Sequence, residues 1–272
     1  MRAMPKLTII TINFNHLQGL QRTIDSIIGQ SFKDYEWIVV DGGSTDGSKQ
    51  LLEQYQDRFA WWCSEPDKGV YNAMNKGLAH ATGEYVNFMN AGDTFASLTI
   101  LYEIFAQPHS ASVLYGLMVR ETIDGVIFHP SMMKPHLRWF DFYNCTLCHQ
   151  STFTKREMFD KYGRFDESYR AYADWRHFAQ LLAIGKETSE FIPKVISVYE
   201  GGGISEINDA LCRNELMRIR AEVYPNISDD EYSALQKFDL VYRLQLSTLC
   251  VKILCRINAK IIQIKHRRGK FI

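Results

Sequence analysis

Leu7 to Ser44 reads LTIITINFNHLQGLQRTIDSIIGQSFKDYEWIVVDGGS, and its hydrophobic spacing changes twice. Leu7–Asn13 is a β-branched run, the pattern of a strand covered on both faces. From Leu17 to Ile28 the apolar positions 17, 20, 24, 27 and 28 fall on one helical face. Tyr35–Asp41 (YEWIVVD) returns to strand chemistry and runs into Gly42, Gly43, Ser44, Thr45, Asp46 and Gly47, a loop with helix-capping chemistry. Strand, helix and strand in this order predict a βαβ unit of a parallel sheet.

The alternation continues outward. Ser48–Gln56 reads as a helix, Phe59–Ser64 as a third strand, Val70–Ala81 as a helix, and Tyr85–Met89 as a fourth strand ending at Asn90, Ala91, Gly92 and Asp93. In an open α/β sheet, ligands bind at the carboxyl ends of the strands. Asn13 and Asn15, Asp41, Glu65–Lys68 and Asn90–Asp93 all fall there, so a ligand site is expected along that edge. The first turn, Asn13-Phe14-Asn15-His16, lacks the glycine fingerprint of a dinucleotide site, and no GxxxxGK[ST] occurs. Later segments are less regular. A hairpin is predicted at Asp124-Gly125, helices over Lys155–Lys161 and Asp174–Ile184, a strand over Phe191–Tyr199, and a flexible loop at Glu200–Ser205 (EGGGIS).

Composition narrows the class. Of 272 residues, 46% are hydrophobic and 13% aromatic, which excludes disorder of the whole chain. Lys+Arg and Asp+Glu each number 31, so no global basic field points to nucleic acid. The balance hides a basic tail. Arg243, Lys252, Arg256, Lys260, Lys265, Arg267, Arg268 and Lys270 lie between Val241 and Ile272, with no acidic residue among them. Met1–Leu7 has no apolar core with a cleavage site, so a cytoplasmic chain is expected. Six sparse cysteines fit reduced thiols. Cys145, Cys148 and His149 spell the CxxCH haem pattern, but without an export signal burial as small apolar residues is the better reading.

TIITINFN (Thr8–Asn15), IVVDGGSTDGS (Ile38–Ser48), SEPDKGVYNAMNKG (Ser64–Gly77), ATGEYVNFMNAGD (Ala81–Asp93), CHQSTF (Cys148–Phe153) and YADWRHF (Tyr172–Phe178) together resemble glycosyltransferase family 2. The resemblance runs from about Leu7 to about Ser205. It implies a GT-A fold, a mostly parallel sheet sandwiched by helices, with a helical C-terminal extension. Residues 1–205 would form the catalytic domain, with 1–100 binding the nucleotide sugar and 101–205 the acceptor, and 206–272 the extension. The implied reaction is transfer of a sugar with inversion from a nucleotide sugar, a UDP-sugar foremost. The pattern is similar to bacterial members that build O-antigen, capsule or exopolysaccharide. A nucleotidyltransferase would need a glycine-rich basic loop on the first strand, which is absent.

The resemblance also distributes roles. Asp41 matches a base-binding aspartate, a reading preferred to that of a turn aspartate capping Gly42–Ser44. Asn13, Phe14 and Asn15 match first-strand nucleotide contacts, and Asp67, Lys68 and Asn75 extend the donor site, against a solvated turn and an exposed helix face. Asn90, Ala91, Gly92 and Asp93 occupy the place of the family's metal-binding aspartate motif, with only the last carboxylate present. Mg2+ or Mn2+ tolerates few protein carboxylates when phosphate oxygens complete its shell, so Asp93 is the expected ligand of a divalent cation. The missing acids keep a second reading open, a nucleotide-sugar-binding or scaffolding homologue without turnover. Asp174 matches the general base that takes the acceptor hydroxyl's proton, though a carboxylate at a helix start also serves as a cap. Single displacement through one base implies inversion, and no flanking carboxylate pair of the retaining kind presents itself. His149, Gln150 and Trp175 match the acceptor side, and Gly202 and Ser205 belong to a loop with the mobility of a lid.

Beyond Ser205, Glu206–Tyr224 reads as a helix, Pro225–Glu231 as an acidic break, and Tyr232 onward as helical. Charges interrupt the apolar run Leu240–Ile264, so it is not a membrane span. It reads as a basic amphipathic helix on an anionic membrane surface or as a helix packed on the domain. Membrane contact would suit a polyprenyl-diphosphate-linked saccharide acceptor and a peripheral enzyme on the inner face.

Overall fold

The computed structural model describes residues 4–122, 125–128 and 137–245. The chain divides into two units, Met1–Tyr224 and Pro225–Ile272. In the first unit the elements run β1 (Leu7–Asn13), α1 (Leu17–Ile28), β2 (Tyr35–Asp41), α2 (Ser48–Tyr55), β3 (Trp61–Ser64), α3 (Val70–Leu78), β4 (Tyr85–Phe88), β5 (Thr94–Phe95) and α4 (Ile100–Phe105). They continue with β6 (Val113–Thr122), β7 (Gly125–Phe128), β8 (Thr152–Lys155), α5 (Arg156–Tyr162), α6 (Ala173–Phe178), β9 (Ser189–Tyr199), α7 (Ile204–Ile207) and α8 (Asp209–Val223). The described part of the second unit is α9 (Asp229–Gln245).

The nine strands form one sheet in the order β3-β2-β1-β4-β8-β6-β9-β5, with β7 paired to β6. The first four are parallel, as the βαβ reading predicts, and β8 enters antiparallel between β4 and β6. A two-layer helical cover explains the unbroken apolar strands. Leu7 and Ile9 point to the face that buries Leu20, Ile24 and Ile27 of α1, whereas Ile10 and Ile12 point to the face covered by Tyr71 and Met74 of α3. Each of these fully buried side chains contributes about 1.5–3 kcal/mol. Close approach sets one glycine inside α3, because a Cβ at Gly77 would lie 2.6 Å from Ile10 Cγ2.

Register aligns the ends of the parallel strands. Asn13 pairs with Asp41 across β1 and β2, and Asp41 with Ser64 across β2 and β3, so three polar residues stand side by side at one edge.

Two boundaries differ from the spacing. The stretch Glu206–Tyr224 is broken at Asn208, whose Oδ1 accepts the Leu211 N–H and restarts the helix. The last helix begins at Asp229 rather than Tyr232, because Ser228 and Glu231 form a reciprocal cap in which Glu231 Oε2 accepts the Ser228 N–H at 2.8 Å. The strands of the hairpin pair Thr122 with Gly125, while Asp124 lies outside the described residues. So does the stretch from Lys252 to Lys270, and with it the basic part of the membrane-surface reading. Among the described residues no helix is long and apolar enough to cross a membrane.

His177 sits on α6 against the flat of the Phe159 ring, with centroids 4.7 Å apart and planes 5° from parallel. Burial pushes its imidazole down to about 3, against the opposing pull of Asp174. The folded protein therefore keeps His177 neutral where the unfolded chain binds a proton. Its stabilising contribution is present above the unfolded value of 6.5 and is lost as pH falls from there toward 3. Between pH 7.5 and 5 this group should remove about 2 kcal/mol of stability. Urea unfolding of the native chain and His177→Phe at both pH values checks this, the variant losing that much less on acidification.

Candidate functional site

A cleft of about 1290 Å³ opens at the carboxyl edge of the parallel strands. It exceeds the usual range for a single small ligand and has room for a donor and an acceptor together. Asn13, Phe14, Asn15, Asp67, Lys68, Asn90, Ala91 and Asp93 line the side built from the first half of the chain. His149, Gln150, Asp174, Trp175, Gly202 and Ser205 line the facing side.

Asp41 lies beneath the wall, fully buried. Its carboxylate accepts from Asn13 Nδ2 at 2.7 Å, Ser64 Oγ at 2.7 Å and the Ser44 N–H at 3.0 Å. Burial pushes this carboxyl up, but the bonds from Ser44, Ser64 and Asn13 outweigh it and hold it below its ordinary value. Asp41 thus orients Asn13 and Ser44, leaving Asn13 Oδ1 buried at the cleft without a hydrogen-bond partner among the described residues. Ser44 in turn accepts the Asn15 N–H, and Asn15 adopts φ 49°. The Phe14 ring is 65% exposed, a free aromatic face at the rim. Gly42 lies close to both it and Asp67, since a Cβ there would be 3.2 Å from Phe14 Cδ2 and 2.6 Å from Asp67 Oδ2. Asn75 is turned elsewhere. Its amide donates to Phe165 O at 2.8 Å and Glu167 Oε1 at 3.0 Å, and its Oδ1 accepts the Phe165 N–H, tying α3 to that loop.

Asp93 is buried at the end of the following turn. Its Oδ2 accepts from Gln150 Nε2 at 3.0 Å and its Oδ1 from the Glu200 N–H at 3.2 Å. Burial pushes the carboxyl up to about 6, and the charge of Glu200 adds to the effect. Gly92 does not line the cleft; at φ 102° it makes room for the Glu200 carboxylate, which a Cβ would strike. That carboxylate holds His16 Nε2 at 2.6 Å and the Arg22 guanidinium.

Among the described residues no three His, Cys, Asp or Glu side chains converge as a closed metal cage. A single desolvated carboxylate, poorly stabilised as an anion, fits a hard divalent cation whose remaining ligands are phosphate oxygens and water. The donor set therefore suits a cation that arrives with a diphosphate.

Asp174, in the first turn of α6, is held from two sides. Tyr71 Oη lies 2.9 Å from Oδ1, and His149 Nδ1 lies 2.8 Å from Oδ2. The Trp175 N–H also donates to Oδ1. His149 Nε2 is 3.1 Å from Asn90 Nδ2, so the imidazole bridges the fourth-strand turn and Asp174. With Asn90 donating, Nε2 is the unprotonated nitrogen and Nδ1–H donates to Asp174. Trp175 is largely committed to the interior, its indole N–H donating to Phe142 O at 2.8 Å. Gly201 and Gly202 take φ 96° and 76° ahead of α7, and the Gly202 N–H is held by Glu206.

Three participants escaped the sequence reading. Tyr71 stood only within the helix read over Val70–Ala81, and its hydroxyl, reaching across 103 residues of chain, connects it to Asp174. Glu200 was read as part of a flexible loop, yet it is pinned to α1. Arg120, on β6, lines the cleft and pairs with Glu206 at 3.0 Å. No local spacing marks any of the three. Cys145 and Cys148 line the cleft, both half-buried.

Residues 8–165 match the family model described as Glycosyl transferase family 2. An uncharacterized glycosyltransferase of Mycobacterium tuberculosis is 34% identical over 178 residues, 64% of this chain and 68% of that protein. A PGL/p-HBAD biosynthesis glycosyltransferase of Mycobacterium bovis is 29% identical over 217 residues, 75% of this chain and 80% of that protein. S. aureus TarS 1-349, solved in complex with UDP-GlcNAc, superposes with a TM-score of 0.66 at 20% identity, over 83% of this chain and 68% of that one. Against the longer TarS structure the chain spans 42% of the length. The mannosyltransferase PcManGT of Pyrobaculum calidifontis, solved with GDP-Man and Mn2+, gives 0.57 at 19% identity over 98% and 83%. These likenesses to solved structures establish the GT-A fold.

Replacing Tyr71 by Phe removes the hydroxyl shared between Ala171 O at 2.7 Å and Asp174 Oδ1. The variant should fold and lose about 1–2 kcal/mol. A lowered urea midpoint at unchanged slope checks it.

Proposed function

The chain belongs to glycosyltransferase family 2, and on that premise we propose that it is an inverting enzyme that moves a sugar from a UDP-sugar to a saccharide acceptor. The observation that carries this reading is the buried Asp174 carboxylate, fixed by Tyr71 and His149 in the cleft that also holds Asn13 and Asp93. Phe14 offers a stacking face to the base, Asn13 Oδ1 an acceptor for an N–H or O–H of the nucleoside, and Asp41 aligns both Asn13 and Ser44. Asn15, Ala91, Asp67 and Lys68 complete the donor wall, with Lys68 supplying positive charge toward the diphosphate. Asn75 and Gly92 act one layer back, through the 165–167 loop and Glu200.

A divalent cation, Mg2+ or Mn2+, would be held by Asp93 and would neutralise charge on the leaving diphosphate. Gln150 and the Glu200 N–H keep the Asp93 carboxylate aimed. The acceptor hydroxyl gives its proton to Asp174 as its oxygen attacks the anomeric carbon from the face opposite the diphosphate. The bond to the diphosphate breaks in the same displacement, which inverts the carbon. His149 and Trp175 wall the acceptor side, and Gly202 and Ser205 close the loop over the donor.

We assign the catalytic work to residues 1–205. The acceptor that suits the chain is a saccharide on polyprenyl diphosphate, in assembly of a bacterial surface polysaccharide. The basic residues of the C-terminal stretch would bring a cytoplasmic enzyme to the anionic inner face of the membrane, each Lys or Arg near the surface worth about 1 kcal/mol. Relatives named as PGL/p-HBAD biosynthesis glycosyltransferases support sugar transfer in a biosynthetic reaction.

Asp174→Asn should lower turnover by about 10²–10⁴-fold while the donor dissociation constant stays within a factor of about two. Nucleoside diphosphate release, paired with calorimetry, reads both, and unchanged turnover removes Asp174 from the role. Calorimetric titration of UDP-GlcNAc, UDP-glucose, UDP-galactose and GDP-mannose, with and without Mn2+, tests the donor site. Binding of one donor that needs Mn2+ and disappears in Asp93→Ala is the expected result. Equal binding without the metal would refute the cation's role.

A further inference from the structure

Helix α8 lies beyond the 8–165 stretch matched by the family model, and its buried face carries a charge. Glu215 is 6% exposed. Its Oε1 accepts the Arg170 N–H at 2.6 Å, and its Oε2 the Ala171 and Tyr172 N–H groups at 2.9 Å each. Three consecutive backbone donors therefore converge on one carboxylate, an anion nest filled by a side chain 43 or more residues away. Burying a carboxylate costs several kcal/mol, and here backbone dipoles offset it. The segment so held leads directly into Ala173 and Asp174. From the opposite side Tyr71 Oη reaches Ala171 O and Asp174 Oδ1. Two more side chains of α8 brace the flanks: Glu222 takes Tyr169 Oη at 2.9 Å and Arg176 Nε at 2.5 Å, and Arg218 donates to Ser168 Oγ at 2.8 Å. The Arg176 and Arg218 contacts are solvent-exposed and individually weak.

We propose that Glu215 is a positioning residue for the transfer reaction: by gathering the amides of residues 170–172 it sets where the Asp174 carboxylate stands in the cleft, an inference that rests on the reading of Asp174 as the base. Glu215 never touches substrate. Its effect travels along four residues of backbone, where a misplacement of about 1 Å is worth roughly 10²-fold in rate.

The test compares Glu215→Ala, Glu215→Gln and Asp174→Asn in the full chain. The readout is nucleoside diphosphate release from whichever of the four nucleotide sugars the native protein binds tightest, with water as acceptor, expressed per donor-binding site. In Glu215→Ala kcat should fall about 10²-fold with donor affinity kept, and excess acetate should restore at least about 10-fold by refilling the nest. Glu215→Gln should lose turnover similarly without rescue, because its NH2 faces amide N–H groups and its side chain blocks acetate. Undiminished kcat per binding site in Glu215→Ala overturns the proposal, as does a loss that acetate leaves untouched. Should the Ala variant fail to bind donor, the Gln variant decides: reduced kcat at native affinity supports positioning, and retained kcat, or loss of binding with kcat, overturns it. Asp174→Asn separates the two ideas. If it keeps turnover the base assignment fails, whereas its inactivity beside a fully active Glu215→Ala defeats only the role of Glu215.

Discussion

A buried carboxylate at the end of β2 organises the wall of the cleft that the first half of the chain builds. Asp41 is out of solvent, and it remains an anion because Asn13, Ser44 and Ser64 donate to it from three segments. The parallel register makes this possible by placing Asn13, Asp41 and Ser64 on adjacent strands at the same height. Remove that alignment and Asn13 loses its orientation, the Ser44 turn its anchor, and Asn15 the hydroxyl that receives its N–H. The apolar bodies of the strands supply the cohesion, and Asp41 converts their ends into a site.

Two other acids in the cleft live in different surroundings. Asp93 has one side-chain donor and one backbone donor, and burial pushes its carboxyl up to about 6. Asp174 has a phenol, an imidazole and a backbone amide around it. Under the proposed mechanism this contrast suits a division of labour, because a poorly solvated carboxylate gains most from an incoming cation, and a firmly oriented one can wait for a proton. Asn90 and His149 connect the two regions through one short bridge between the fourth-strand turn and α6.

Much of the first half was readable from local pattern. Leu7–Asn13 and Tyr35–Asp41 coincide with β1 and β2 to the residue, since a run rich in β-branched and aromatic residues that ends in a polar turn has few other solutions. The later strands were harder. β8 is four residues long and joins the sheet antiparallel beside β4, a pairing over about 70 residues that no periodicity announces. The caps at Asn208 and Ser228 were missed because side-chain hydrogen bonds, rather than apolar spacing, decide each helix start. Within the site, Asn13, Phe14, Asn15, Asp67, Asn90, Asp93, His149 and Asp174 do share one cleft, whereas Asn75 is spent on the 165–167 loop and Asp41 works from below.

The βαβ start, the edge at which polar residues gather, and the family are legible in the chain alone, because those features are written in contiguous motifs of strand, turn and helix. Tertiary structure alone decided what each polar group is bonded to. Tyr71 and Asp174, His149 and Asn90, Glu215 and the amides of 170–172, and Glu200 and Arg22 are pairs far apart in the chain. Hydrogen bonds act over about 3 Å while periodicity extends over a few residues, so such partners become visible only when the sheet and its helices bring them together.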